Sequence, residues 1–381
     1  MKKGLLLSVV ATGFIFAGGN IAPVAPVQPQ VAPAACDFWG TLAVRYDAKK
    51  DDGGYNFGDK ENNLFATAIA MGVEKQLGYG FGFGAEFGAF TDLGLDVAGA
   101  VDGTTSELSQ LYLTYKTGNT LIKAGRQALP KALSPLAWSD RTAGVIDTAY
   151  EGVVVVNTDI KDTTLVGAWV ARYAVDNKSE RVNGENNKGV FMLAMQNKSL
   201  ENTTITASVY YAPKPLKATS AWLAVEGKAG SVNLGLQLAY SKFKGLGLKK
   251  TLGVAAYAGG NFNGIDAKLT LAYIDDGESP LKVFPGGSGF WGATYYVFGG
   301  NTVGAKQKIA KLDLAYKIEG YGKVYGGVAA DKADGKSTAV AARIGYDFKV
   351  ADVNAKVEYR YHKDFDSVKH HRIRVQGVYK F

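Results

Sequence analysis

From Trp39 onward the chain places apolar side chains at every second position, in segments about ten residues long. Leu42, Val44 and Tyr46 alternate with Ala43, Arg45 and Asp47. Val232, Leu234, Leu236, Leu238 and Tyr240 alternate with Asn233, Gly235, Gln237, Ala239 and Ser241. Val353, Ala355, Val357, Tyr359 and Tyr361 alternate with Asn354, Lys356, Glu358, Arg360 and His362. A period of two is the period of a strand with two unlike faces. A soluble sandwich also alternates, so the decision rests on what each face carries. One face is apolar, with Tyr, Trp or Phe near the strand ends. The other holds Gly, Ala, Ser, Thr, Asn and charged pairs, which suits a water-filled interior. Strands that face hydrocarbon must pair every backbone group internally, and only a closed barrel does that. The expected class is an all-β, transmembrane antiparallel β-barrel.

The pattern predicts strands near 39–47, 62–75, 80–91, 105–117, 119–127, 147–158, 162–174, 188–198 and 201–212. It continues near 217–229, 231–243, 249–260, 263–274, 305–318, 321–331, 336–349, 351–361 and 370–381. That makes eighteen strands, or sixteen if one of them has been divided in error. Tight turns at 76–79, 159–161 and Glu319-Gly320 alternate with long connections such as 48–61, 92–104, 128–146, 175–187 and 275–304. Short turns on one side and long loops on the other belong to outer-membrane barrels. An even strand count puts both termini on the periplasmic side.

The first residues read as targeting signal. Lys2 and Lys3 precede the apolar stretch Leu5–Ala17, and Ala17-Gly18-Gly19 offers small residues for cleavage, giving a signal peptide over 1–19. Residues 20–38 contain four of the ten prolines and read as an extended periplasmic linker, with the barrel over 39–381. Removing the leader lowers the formal charge from +8 to +6. The basic residues are scattered along alternating segments of an exported chain, which argues against nucleic acid as a partner. Cys36 is the only cysteine, so no intramolecular disulfide forms. Pro33 stands where a lipidation signal needs an aliphatic residue, so an unmodified thiol is preferred.

The last strand, HHRIRVQGVYKF, alternates Ile373, Val375, Gly377, Tyr379 and terminal Phe381. It resembles the C-terminal signal read by the barrel-assembly machinery of bacterial outer membranes. Ala124-Gly125-Arg126-Gln127, with Pro130, Pro135 and Asp140-Arg141 after it, resembles the segment after the fifth strand of OprD-like porins. The epsilonproteobacterial major outer-membrane porins resemble it too, and they also carry a Pro-rich stretch after the leader. The resemblance implies that 128–146 is an inward-folding constriction loop carrying Lys131, Asp140 and Arg141. It also implies an arginine ladder that guides carboxylate-bearing substrates. No ladder position is carried over, since only Arg126 lies in the matching motif and the alternation leaves its facing open. The two groups imply different assemblies, monomers for the first and homotrimers for the second. At 381 residues the chain is short for the family, which implies trimmed outer loops.

Assigning registers strand by strand puts thirteen basic residues inward: Arg45, Lys116, Arg172, Lys268, Lys311, Lys317, Arg343, Lys349, Lys356, Arg360, Arg372, Arg374 and Lys380. Five acids face them: Glu86, Asp266, Asp313, Asp347 and Glu358. Arg343, Arg360, Arg372, Arg374 and Arg45 fall on the last three strands and the first, which closure makes neighbours. Such a seam either offers a diffusing anion successive weak sites or braces the wall through ion pairs. The two readings weigh equally. Loop 275–304, rich in glycine and aromatics, either caps the pore or packs against a neighbouring protomer. His362, His370 and His371 flank one short outer loop and read as solvated rather than as a metal site. Lys242, Lys244, Lys249 and Lys250 flank another, where contact with lipopolysaccharide phosphates competes with the preferred reading of a solvated rim.

No nucleophile elbow, metal-ligand spacing or phosphate loop stands in the sequence, and the Gly80–Gly84 GxGxG lies inside a strand. The expectation is therefore no enzyme, cofactor or metal. It is a passive, water-filled channel of the bacterial outer membrane for small hydrophilic solutes, with a lean toward anions or carboxylates. The expected partners are outer-membrane lipid, lipopolysaccharide and the assembly machinery. The rival reading is a surface-interaction or structural barrel with little channel activity.

Overall fold

Eighteen antiparallel strands close into one barrel, and each of them overlaps one of the alternating segments. The computed structural model describes residues 36–52, 63–91, 104–139, 141–142, 146–175, 178–183, 188–281, 283, 288–292 and 306–381. The expected leader and most of the expected linker lie outside them.

In chain order the strands are β1 (Asp37–Asp51), β2 (Asn63–Gly78), β3 (Phe81–Thr91), β4 (Thr104–Thr117) and β5 (Thr120–Gln127). The short hairpin β6 (Arg141–Thr142) and β7 (Ile146–Asp147) stands apart from the barrel sheet. Then come β8 (Ala149–Asn157), β9 (Thr163–Val175), the four-residue β10 (Lys178–Arg181), β11 (Val190–Asn197) and β12 (Thr203–Ala212). The chain continues with β13 (Ala218–Ala229), β14 (Val232–Phe243), β15 (Thr251–Phe262), β16 (Ile265–Ile274) and β17 (Gln307–Ile318). It ends with β18 (Gly322–Ala333), β19 (Thr338–Val350), β20 (Val353–Lys363) and β21 (Lys369–Lys380). β10 adds to the outer end of β9, whose remaining length pairs with β11.

Closure runs through β1 and β21, in register from Thr41–Lys380 to Asp51–His370. Gly40 and Phe381 then exchange backbone hydrogen bonds at 2.8 and 3.1 Å. The Phe381 ring lies over Gly40, where a Cβ would come within 2.2 Å of it. The start of β1 and Phe381 therefore sit at the rim with the tight turns. Those turns need left-handed backbone, and Asn263-Gly264, at φ +50° and +88°, joins β15 to β16 in the two-residue form that matches strand twist.

The alternation sorts every barrel strand. Leu234, Leu236 and Leu238 of β14 are exposed on the outside, while Gln237, Ala239 and Ser241 are buried inside. Buried apolar residues do not fill the centre of the barrel. Among the described residues they form two patches where loops lie against the inner wall and a third across β1 to β3.

Candidate functional site: a lumen narrowed by two loops

Residues 128–139 leave β5 and turn inward. Leu129, Leu136 and Ala137 join Tyr150, Val154, Val166, Val190, Met192, Tyr210 and Trp222 of the inner wall in one apolar cluster. Pro130 starts a turn in which its carbonyl accepts from the amides of Leu133 and Ser134. Ser134 Oγ then donates to Ala137 O at 2.7 Å. The root of the loop is held by Gln110, whose Oε1 accepts from the Ala128 amide at 3.1 Å. Gln110 Nε2 in turn donates to Glu86, which also accepts from Ser109 Oγ at 2.5 Å. A bulge opposite Glu86 and Phe87 admits both Ser109 and Gln110 to this carboxylate. Lys131 Nζ lies 5.3 Å from the centre of the Trp138 ring. Asp140 lies outside the described residues, and of Arg141 only the backbone is described, in the hairpin opposite Asp147.

Leu281, Val283 and residues 288–292 of a second loop also pack inside. Leu281 and Phe290 are buried against Ala239, Ala255, Ala272, Ile274 and Ile309. Gln237, fully buried on β14, uses both ends of its amide on this loop. Its Oε1 accepts from Trp291 N at 2.9 Å and its Nε2 donates to Gly289 O at 3.4 Å. The two loops are tied together as well, since Val283 N donates to Leu136 O at 2.9 Å and Gly289 N to Pro135 O at 2.6 Å.

With those loops against β8 to β17, the opposite part of the wall carries the charge. Cross-strand pairing lines up one inward row in direct register. It runs Lys268, Asp313, Gly327, Arg343, Arg360, Arg372 and Lys49, across β16 to β21 and on to β1. Five cations stand in it against one carboxylate. Arg343 Nη2 reaches Asp313 at 2.7 Å. Lys268, Arg343 and Lys131 are charged neighbours of Lys311, whose Nζ donates to Trp291 O at 3.3 Å.

The arginine seam expected from the sequence is assembled and internally paired. Arg372 and Arg374 reach Asp47 at 2.7 and 2.8 Å, and Arg45 Nε donates to it at 2.6 Å. Asp47 is 1% exposed, so three guanidinium groups share one buried carboxylate. Arg360 donates to Glu358 at 2.6 Å, and Lys356 lies 3.5 Å from Asp347. Each of these cations thus has a carboxylate of the wall within ion-pair distance.

Arg172 departs from its expected inward placement. A bulge between Glu151 and Gly152 shifts the register, so Arg172 pairs with Glu151 while inward Val170 pairs with Gly152. That puts Arg172 on the outer face. Arg126 shares that face, reaching Glu151 at 2.7 Å, because its neighbours Gly125 and Gln127 take the inward positions. Nothing in the sequence marks the bulge.

Three inward tyrosines, which alternation alone does not single out, recur in one arrangement. Tyr112, Tyr257 and Tyr325 each lie across a glycine of the next strand and donate to a glutamate one strand further on. The partners are Gly84 and Glu74, Gly235 and Glu226, and Gly345 and Glu358. A cation sits on the first two rings, Lys123 at 3.4 Å and Lys268 at 3.6 Å from their centres. Around Tyr325 the cations Arg343, Lys356 and Lys323 stand 5.4 to 5.6 Å away.

Of the histidines, His362 and His370 stack at 5.7 Å, and His370 Nε2 lies 3.2 Å from Asp364. His371 turns outward to the Tyr359 hydroxyl at 2.7 Å. In the connection after β20, burial pushes the Asp364 carboxyl up. The hydrogen bonds from His370 and from the amides of Val368 and Asp366 outweigh this and hold it below the usual range.

No protein-family model and no curated sequence matches the chain. Solved structures do. The fold is similar to that of Pseudomonas aeruginosa OpdO, with a TM-score of 0.73 at 14% identity over 91% of this chain and 97% of that one. The outer membrane protein opdK of Pseudomonas aeruginosa gives 0.73 at 12%, covering 91% and 98%. Pseudomonas aeruginosa OpdQ gives 0.72 at 10%, covering 91% and 99%. At such identities the shared property is the closed antiparallel barrel itself, spanning nearly the whole of each chain.

Proposed function

We propose that this chain is a porin of the bacterial outer membrane, a passive channel for small hydrophilic solutes with a mild preference for anions or carboxylates. Its apolar outer face with aromatic ends fits a bilayer, and the fold it shares with the outer membrane protein opdK supports that location. Both termini then face the periplasm, and the Phe381 strand is the one handed to the assembly machinery.

The observation that carries the selectivity is the inward row Lys268–Arg343–Arg360–Arg372–Lys49, whose five cations face the bore with Asp313 alone among them. Acids in neighbouring rows, chiefly Asp47 and Glu358, take up part of this charge and leave a basic surplus. A surplus of fixed positive charge raises the local anion concentration and leaves each site weak enough to release its ion. The test is a planar bilayer under a potassium chloride gradient. Discrete conductance steps with an anion-selective reversal potential are expected. Cation selectivity would overturn the preference. A folded, inserted barrel that does not conduct would overturn the channel in favour of a structural or surface-interaction role.

A further inference from the structure

Ten adjacent strands, β13 to β21 and then β1, form more than half of the barrel wall. Their outward positions are almost wholly apolar. The outward charged side chains on them are Lys50, Lys242, Lys308, Lys332, Lys363 and Lys369. Every one is a lysine, and every one lies within two residues of its strand's loop end. The tight-turn ends of the same strands present Phe38, Phe262, Tyr316, Phe348 and Tyr379 outward instead.

Two of the pairings are costly by themselves. Lys308 stands directly opposite Lys332, and Lys363 directly opposite Lys369. Like charges at such positions have Cβ atoms about 5 Å apart and repel. Among the described residues, compensation is slight. Lys332 Nζ donates to the Lys336 carbonyl, and Lys369 lies 3.7 Å from Asp52. Lys308 is also directly opposite Tyr273, while Tyr240 and Tyr361 stand two residues inside Lys242 and Lys363. Outward tyrosines at a strand end mark the headgroup level of a bilayer, so the lysines project at or just above it.

We propose that this lysine collar binds the phosphorylated headgroups of lipid in the leaflet at the loop end, one phosphate monoester bridging each lysine pair. A phosphate monoester carries a charge of about −1.5 to −2 at neutral pH and supplies three acceptor oxygens, enough to neutralise two ammonium groups. The asymmetry is the strongest support. Anionic headgroups in both leaflets would call for lysines at both ends, and on these strands only the loop end has them.

This inference rests on the outer-membrane reading above. Its test uses the full barrel in neutral detergent, with native mass spectrometry of added bis-phosphorylated lipid A, dephosphorylated lipid A and phosphatidylcholine. The phosphorylated lipid should be retained preferentially. The double variants Lys308→Gln/Lys332→Gln and Lys363→Gln/Lys369→Gln should each weaken its retention about tenfold or more. Lys75→Gln, on the outer face of β2 at its tight-turn end, should leave retention unchanged. Equal retention of all three lipids, or double variants that bind like the parent, would overturn the collar. Bilayer conductance of the same preparation separates the two readings. A conducting barrel without phosphate preference refutes the collar alone, and a barrel that neither inserts nor conducts refutes the porin.

Discussion

At Asp47 a dense cluster of charge is almost sealed from solvent. Three guanidinium groups converge on its two oxygens, and hydrogen bonds to an ionised pair are among the stronger ones a protein makes. Removing one member of a buried ion cluster costs about 3 kcal/mol or more, because the partners stay behind uncompensated. Asp47→Asn should therefore lower the unfolding midpoint followed by gel mobility without boiling. In the same variant the reversal potential should move further toward anions, since three arginines facing the bore lose their carboxylate. The arginines were legible in the sequence, because alternation sets their facing and chain closure makes their strands neighbours. Asp47 was harder to see. It shares the face of Arg45 two residues on, yet its role needs Arg372 and Arg374, more than 320 residues away. Only the closing register brings those ends together.

Among elements, the recurring unit is a tyrosine laid across a glycine toward a glutamate. The glycine is required by space, since a Cβ at Gly345 would come within 2.4 Å of the Tyr325 ring and one at Gly235 within 2.2 Å of Tyr257. Each unit thus pins three consecutive strands in register. Gly235→Ala should destabilise the barrel by about 1–3 kcal/mol through overpacking. Tyr257→Phe, which keeps the ring and loses only the bond to Glu226, should cost about 1 kcal/mol. Denaturant midpoints of the two variants, taken together, separate packing from hydrogen bonding. The turn between β20 and β21 adds a pH effect. A carboxyl held below its ordinary value stabilises the fold above that value and loses its contribution as pH falls through it. The Asp364 latch should therefore open only below about pH 3.8, the ordinary aspartate value, and the Val368 amide resonance should follow that titration. At this scale the strands were the most legible part, because a period of two leaves few alternatives. Bulges were not, since one inserted residue reverses the facing of Arg172 without any mark in composition. Segment 281–292 has no period, so its side chains carried no sign of which face of the wall they would meet.

The whole molecule is a tube with unlike halves, one side lined by two interlocked loops and the other by the charged row. The bore between them is set by how firmly the loops are held. For 281–292 the polar clamp and the apolar anchor can be weighed. Gln237 contributes two hydrogen bonds, together about 2 kcal/mol. Burying Leu281 and Phe290 contributes about 2–3 kcal/mol each. The apolar anchor is the stronger of the two, so Gln237→Ala alone should leave the loop docked most of the time, and single-channel records should show added open-state noise at nearly unchanged mean conductance. Adding Phe290→Ala removes about half of the apolar anchor and leaves Leu281 to hold the loop alone. The double variant should then show a clear rise in mean conductance, because 281–292 swings away from the wall and draws 128–139 with it through Val283 and Gly289. Reversal potentials should keep their anionic sign in both variants, since Arg343, Arg360, Arg372 and Lys49 lie on strands these loops leave bare. A double variant with parental conductance would mean that the loop stands beside the conducting path and that the bore is set elsewhere.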